Sequence, residues 1–259
     1  KDMCLIVFSI SKQNNHSSPD SVFSIILMAN RDEYYDRPTS SMDWWKDKPI
    51  LAGRDGQAGG TWLGINKNGR FAAITNHKEE ALDREYELSR GKLITDFLQE
   101  DNLSAKDYLT SLQGSSFAGF NILLSDSEGV HSFSNRREGI TTLTEGVHAL
   151  GNRFLNSNTE KVIRIKSDFT DYQQSSKNKD YAFEMMTQNS GSLEAKTQQE
   201  LKKKDYEEIP YRFIKSNFYG TRCTTYLSID GSGEINISEQ NYSEGGEAGQ
   251  RKDFEFIAN

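Results

Sequence analysis

Two stretches carry residues able to do chemistry. Cys4 opens the apolar run Cys4-Leu5-Ile6-Val7-Phe8, and Asn30-Arg31-Asp32-Glu33 follows directly on the apolar segment Val22–Ala29. A thiol is a useful nucleophile only as thiolate, so it needs a cation or a base beside it. An arginine held by a carboxylate is a pre-aimed cation, able to lower a thiol pKa or to hold an acidic ligand bidentately. Charged groups at the mouth of a buried strand pair with one another, face a ligand or stay in water, because burying them alone is costly. If the two runs pair as neighbouring strands, the thiol and the guanidinium–carboxylate cluster share one end of a sheet. Cys4 follows Lys1-Asp2-Met3, with Met3-Cys4 reading as a natural start, and loss of everything before Cys4 would leave its α-amine, with a pKa of about 8, as a base for its own thiol. Arg37 lies close enough in sequence to be a partner for Glu33 or Asp36.

Further candidates stand at apparent strand ends. Asn76, Asn121 and Asn152 offer neutral amide donors of the kind that build oxyanion holes, although single asparagines there also serve as turn residues. Arg222, in Tyr219-Gly220-Thr221-Arg222-Cys223, leads into a late strand. Two arginines at sheet ends, Arg31 and Arg222, in a chain without a basic bulk point to an anionic ligand. The four histidines are dispersed, and neither HxxxH nor CxxC spacing occurs, so no metal centre is expected. His77, next to Asn76, is the histidine placed to meet a haem or a metal. Trp44-Trp45 could anchor a protein partner or cover the core or cleft rim.

These residues need strands to carry them. Cys4–Ile10 and Val22–Ala29 read as buried strands, with 11–21 as the loop between antiparallel partners. Thr61–Asn66 and Arg70–Thr75 form a hairpin across Asn66-Lys67-Asn68-Gly69. Leu93 and Phe97 mark a helix after Ser89-Arg90-Gly91-Lys92, and Ser104 followed by Asp107 caps another. Phe117–Ser125 and Val130–Ser134 return to strand, and Ile140–Leu143 and His148–Leu150 are shorter strand candidates. Residues 159–201 read as helical. Thr224–Asp230 and Glu234–Glu239 make a late hairpin, 242–252 reads as a loop, and 253–257 closes a sheet edge. This order describes an α+β chain with helices outside antiparallel sheets.

The 259 residues carry a formal net charge of −7, which argues against general nucleic-acid binding; Lys202-Lys203-Lys204 is a local basic run and reads as a solvated helix end. No apolar run reaches the length of a bilayer span, and no secretory signal pattern is visible. Two cysteines, Cys4 and Cys223, make no disulfide framework, so a reduced, cytoplasmic setting is the expectation.

Taken in order, the segments resemble the Transport and Golgi Organization 2 family, also called the NRDE family. The matching stretches are Met3-Cys4-Leu5-Ile6, Ala29-Asn30-Arg31-Asp32-Glu33, Arg37-Pro38, Gly59-Gly60-Thr61-Trp62-Leu63-Gly64-Ile65, Thr75-Asn76, Arg90-Gly91, Gly119-Phe120-Asn121, Gly151-Asn152 and Tyr219-Gly220-Thr221-Arg222. They are colinear over nearly the whole chain, most thinly over 157–210, and mark 1–259 as one domain.

The resemblance implies a four-layer αββα sandwich of two mainly antiparallel sheets, similar to N-terminal nucleophile hydrolases. In the cysteine branch of those enzymes, which includes bile-salt hydrolases and penicillin V acylases, the corresponding catalytic set here would be Cys4, Arg31, Asp32, Asn76, Asn152 and Arg222. Those hydrolases separate the arginine from the aspartate, whereas Arg31 and Asp32 are adjacent, so either Asp32 or Glu33 can be the acid facing Cys4. The family itself is associated with haem trafficking and with acyl-CoA handling. That implies a carrier of an amphipathic anion, haem or acyl-CoA, with no required cofactor, in a cleft lined by Asn30, Arg31, Asp32, Glu33, Trp62, His77, Asn121 and Arg222. The alternative is a cysteine amidohydrolase or acyltransferase.

Overall fold

The computed structural model describes residues 4–13, 22–78, 86, 88–175, 178–203 and 209–259. The strands, in chain order, are β1 (Leu5–Gln13), β2 (Val22–Tyr34), β3 (Thr39–Trp44), β4 (Ile50–Asp55), β5 (Leu63–Asn66), β6 (Phe71–Asn76), β7 (Phe120–Asp126), β8 (Gly129–Ser134), β9 (Thr141–Thr142), β10 (Gly146–Leu150), β11 (Ser190–Gly191), β12 (Phe213–Ile214), β13 (Tyr219–Ile229), β14 (Glu234–Tyr242) and β15 (Ala248–Ile257). The helices are α1 (Arg90–Gln99), α2 (Ala105–Ser111), α3 (Glu160–Gln174), α4 (Lys179–Thr187) and α5 (Gln198–Lys203). One sheet has the order β10-β1-β2-β13-β14-β15 and the other β3-β4-β5-β6-β7-β8-β9, while β11 and β12 form a small parallel pair. Every pairing within the two large sheets is antiparallel.

The layers follow from alternation. Ile6, Phe8, Ile25, Leu27 and Ala29 face the second sheet, where they meet Leu63, Ile65, Phe71 and Leu123 in the central core. Their neighbours Leu5, Val7 and Met28 face the other way and are covered by Val162, Ile165 and Phe169 of α3 and Met185 and Met186 of α4. Strands buried on both sides read as continuous apolar runs, which is why β1 and β2 were visible in sequence. On the far side, Leu93, Ile94 and Phe97 of α1 and Leu109 of α2 cover Ile50, Ala52, Ile122 and Leu124. Ser104 caps α2 by accepting from the backbone N–H of Asp107 at 3.1 Å, as its sequence predicts. The result is the expected αββα sandwich.

Several boundaries differ from the reading of the sequence. Strand β2 does not stop at Ala29 but runs through Glu33, so the polar run is part of the strand and keeps its alternation. Residues 242–252 are a loop only over 243–247: β14 reaches Tyr242 and β15 begins at Ala248, an exposed edge strand whose charges hid its regularity. Strands β3 and β4 carry too few consecutive apolar residues to announce themselves. Most of the expected 11–21 loop lies outside the described residues, and β1 extends to Gln13. Trp44 and Trp45 are packed in place: Trp44 meets the Phe256 ring at 5.4 Å, and the Trp45 indole N–H donates to the Ala52 carbonyl at 3.0 Å.

Candidate functional site

Because β2 continues as a strand, its polar residues divide between two faces. Asn30 and Asp32 turn toward the helical layer. The Asn30 amide donates to the carbonyls of Met186 (3.0 Å) and Arg212 (2.9 Å), and its oxygen accepts from the Thr224 hydroxyl at 2.6 Å. Asn30 therefore ties the end of α4 to the sheet, a task shared by Arg212, which donates to the Met185 carbonyl at 2.6 Å and pairs with Asp168. The Asp32 carboxylate accepts from the Thr221 hydroxyl at 2.6 Å, and that hydroxyl in turn accepts from the backbone N–H of Ile214 at 2.9 Å. Thr221 and Thr224 are the cross-strand partners of Asp32 and Asn30 in β13.

Arg31 and Glu33 point between the sheets. Arg31 donates to the Thr39 hydroxyl (3.2 Å) and to Asp55 Oδ2 (3.3 Å), and lies 3.6 Å from Glu33 Oε2. Arg37 Nε reaches the same two acids, Asp55 at 2.6 Å and Glu33 at 3.5 Å. Two guanidinium groups and two carboxylates thus close into one network, and the Arg31 guanidinium stacks on the Trp62 ring at 4.2 Å. Burial works against charge on Asp55, but the hydrogen bonds from Arg37 and from the Ala58 backbone N–H, with the charges of Arg37 and Arg31, hold its pKa below the usual carboxylate range. Asp55 also accepts from the N–H of Gln57 and Ala58 at 3.0 and 2.8 Å, which fixes the turn after β4. This residue was not foreseen; the Asp55-Gly56 turn before Gly59-Gly60 was its only sequence signal.

These side chains border a cavity of about 90 Å3, lined by Cys4, Arg31, Asp32, Glu33, Arg37, Asp55, Trp62, Asn76, Arg90 and backbone of Gly60 and Gly91 among others. The β1–β2 register pairs Leu5 with Asn30, which brings Cys4 beside Arg31 as the two runs predicted. Cys4 is buried, at 8% exposure. The start of α1 forms part of the wall because two glycine backbones touch there: a Cβ on Gly60 would stand 2.6 Å from the Gly91 carbonyl carbon. Of the two acids left open by the sequence, Glu33 shares the inner face with Arg31 while Asp32 is anchored by Thr221, and both border the cavity.

The remaining candidates separate. Asn76 borders the cavity, and its carbonyl accepts from the Asn152 amide at 2.9 Å, so Asn152 braces Asn76. Asn121 is buried behind them, donating to the Thr75 hydroxyl at 3.2 Å and the Arg153 carbonyl at 2.9 Å; it pins the loop carrying Asn152 across the two sheets. His77 packs against the Phe154 ring at 4.7 Å, and its backbone N–H donates to Gly119 O at 2.9 Å. Asn30, Asn121, Asn152, His77 and Arg222 are not among the cavity's lining residues. Arg222 sits at a β-bulge between Thr221 and Cys223 and donates to the carbonyls of Tyr34 (2.8 Å), Tyr35 (3.3 Å) and Arg37 (3.2 Å). It organises the turn that carries Arg37, within reach of the charges of Arg31 and Glu33. Gly220 owes its place to the Tyr35 hydroxyl, which would stand 2.1 Å from a Cβ there. Among the described residues no group of three or more His, Cys, Asp or Glu side chains could hold a metal ion, and no helix is long and apolar enough to cross a membrane.

The fold and site thus define an αββα protein whose cysteine and arginine–carboxylate network meet at one end of the sandwich. The chain matches the Transport and Golgi organisation 2 family over residues 3–244, and it belongs to that family. It is 31% identical over 260 residues to the mouse Transport and Golgi organization 2 homolog and 30% identical over 260 residues to the human one, each comparison covering 92% of both chains. Among solved structures it is similar to the Caenorhabditis elegans ortholog of N-acylethanolamine-hydrolyzing acid amidase, with a TM-score of 0.48, 9% identity and coverage of 86% of this chain and 92% of that one.

Proposed function

We propose that this chain handles a small amphipathic molecule in a cytoplasmic setting, taking the polar end of a ligand such as haem or acyl-CoA into the cavity beside Cys4. The observation that carries this is the pairing of a small volume with a built polar lining. Pockets that enclose whole drug-sized ligands measure roughly 300–1,000 Å3, so about 90 Å3 suits one end group, with the apolar body lying outside. Three arginines and three acids line it, Arg31, Arg37 and Arg90 against Asp32, Glu33 and Asp55. Arg31 and Arg37 pair with Glu33 and Asp55, and an entering carboxylate or phosphate would meet that network together with Arg90, whose Nη1 donates to the Gly119 carbonyl at 3.1 Å, and the amide end of α1, with Trp62 and Ile74 as apolar wall. Calorimetric titration with haem and with palmitoyl-CoA tests this. Arg90→Gln is expected to weaken binding at least tenfold; unchanged affinity in Arg90→Gln and Arg31→Lys would take these residues out of the site.

A second reading, acyl transfer through Cys4, is favoured by Cys4, Asp32 and Asn76 lining the same cavity. The Cys4 sulfur would attack an amide or thioester carbonyl while the α-amine takes the thiol proton. The Asn76 amide would stabilise the oxyanion, and the amine would return the proton to the leaving group, leaving an acyl-thioester for water to hydrolyse. This requires a chain beginning at Cys4. Intact mass of native protein decides: retention of Met3 excludes the mechanism, and an acyl adduct mapped to Cys4 supports it.

A further inference from the structure

Glu239 is a buried carboxyl that neither function reading uses. It lies in β14, faces the inter-sheet layer and is 1% exposed. Its Oε1 accepts a 2.7 Å hydrogen bond from the backbone N–H of Met42, a residue of the opposite sheet. That N–H is available because β3 bulges there: the register passes from Ser40↔Arg54 to Asp43↔Ala52, setting Ser41 and Met42 against Gly53 alone. A bulge releases a donor from the ladder, and here the donor crosses the core.

The contact stands three residues from Thr39, which starts β3 and pairs with Asp55 across to β4. Thr39 and Asp55 are two of the groups that hold Arg31. Glu239 therefore joins the strand that grips Arg31 to the sheet that carries Arg31 and Cys4. The ionisable groups around its carboxyl are Arg31 on β2, Cys223 on β13 and Lys252 on β15, the last already paired with Asp43 at 2.9 Å. Burial raises the pKa of Glu239, against the Met42 N–H, Cys223 and the Arg31 charge, and burial likewise pushes the Cys223 thiol up.

We propose that Glu239 is a positioning residue for the Cys4–Arg31 cavity, acting by its hydrogen-bond acceptor on Met42 to set how β3 presents Thr39 and Asp55 to Arg31. The proposal holds whatever ligand the cavity takes, so its test needs none. Cys4 is alkylated with iodoacetamide in the full-length chain across pH, with the site resolved by peptide mass, to give the apparent pKa of its thiol. Glu239→Gln keeps an oxygen acceptor for Met42, whereas Glu239→Leu does not. Positioning predicts an apparent Cys4 pKa raised by at least about 0.5 in Glu239→Leu, as Arg31 loses its setting, and unchanged in Glu239→Gln. A charge effect of Glu239 would instead lower it in both, and that outcome, or no change in Glu239→Leu, overturns the proposal. Should Glu239→Leu fail to fold, Met42 amide exchange decides: protection in wild type and Glu239→Gln is expected, and exchange at the rate of exposed amides in wild type overturns it.

Discussion

The guanidinium of Arg31 rests 4.2 Å from the centroid of the Trp62 ring, and the ring can lie there only because residue 53 is glycine. A Cβ on Gly53 would fall 2.4 Å from two atoms of the indole and 3.2 Å from the Ser40 carbonyl. Gly53→Ala should displace Trp62 from Arg31, losing a cation–π contact of about 2 kcal/mol where desolvated and adding about 1–3 kcal/mol of overpacking. Urea unfolding, with near-UV circular dichroism to follow the indole, checks both parts.

Asp55 links stability to pH. Burial disfavours its charge, but the Arg37 hydrogen bond, the Ala58 N–H and the two guanidinium charges outweigh that and depress its folded pKa. The sign follows: this contribution is fully present above the unfolded value of about 3.9 and is lost as pH falls through the folded pKa. Asp55→Asn should be less stable at pH 7 and should show a flatter stability profile below about pH 4 than wild type. Parallel denaturant titrations from pH 2.5 to 7 measure this, and equal slopes would contradict it.

Two adjacent glycines should respond differently. Gly59 has a φ of +73° with open space around its Cβ position, so Gly59→Ala costs the left-handed penalty of about 1–2 kcal/mol and little else. Gly60→Ala drives a methyl into the Gly91 backbone and must move α1 or the cavity wall. The expected result is ligand affinity kept in Gly59→Ala and lost in Gly60→Ala, read by the same titrations as Arg90→Gln.

Asn30→Ala should damage the fold without touching the cavity. It strands the Met186 and Arg212 carbonyls and the Thr224 hydroxyl in a buried setting, a loss of about 1–3 kcal/mol per unsatisfied group. Thermal denaturation should report the loss, with Cys4 alkylation unchanged in the protein that remains folded.

The sequence made legible what continuous apolar runs and turn residues encode. Strands β1 and β2, the hairpin across Asn66–Gly69 and the Ser104 cap follow from local rules, and the pairing that sets Cys4 beside Arg31 follows from them. Hidden from it were contacts made by residues whose type gave no hint. Asp55 reads as an ordinary turn aspartate, and Glu239 reads as a solvent-facing strand position beside Ser238 and Gln240. Arg222 reads as a ligand-holding cation, and what the sequence does not show is the bulge in β13 that aims its Nη1 at three backbone carbonyls. Where such a side chain's donors point is set by one residue of register, which no composition records.

Strand β2 is wired on both sides at once. With a two-residue period, Arg31 and Glu33 answer to the cavity and Asn30 to the helices, while Asp32 is anchored to β13 and also borders the cavity. Four consecutive letters that look like one signature are two interleaved messages. A scan along them should therefore divide, Asn30 showing in how much of the protein survives folding, Arg31 and Glu33 in what it holds, and Asp32 in both.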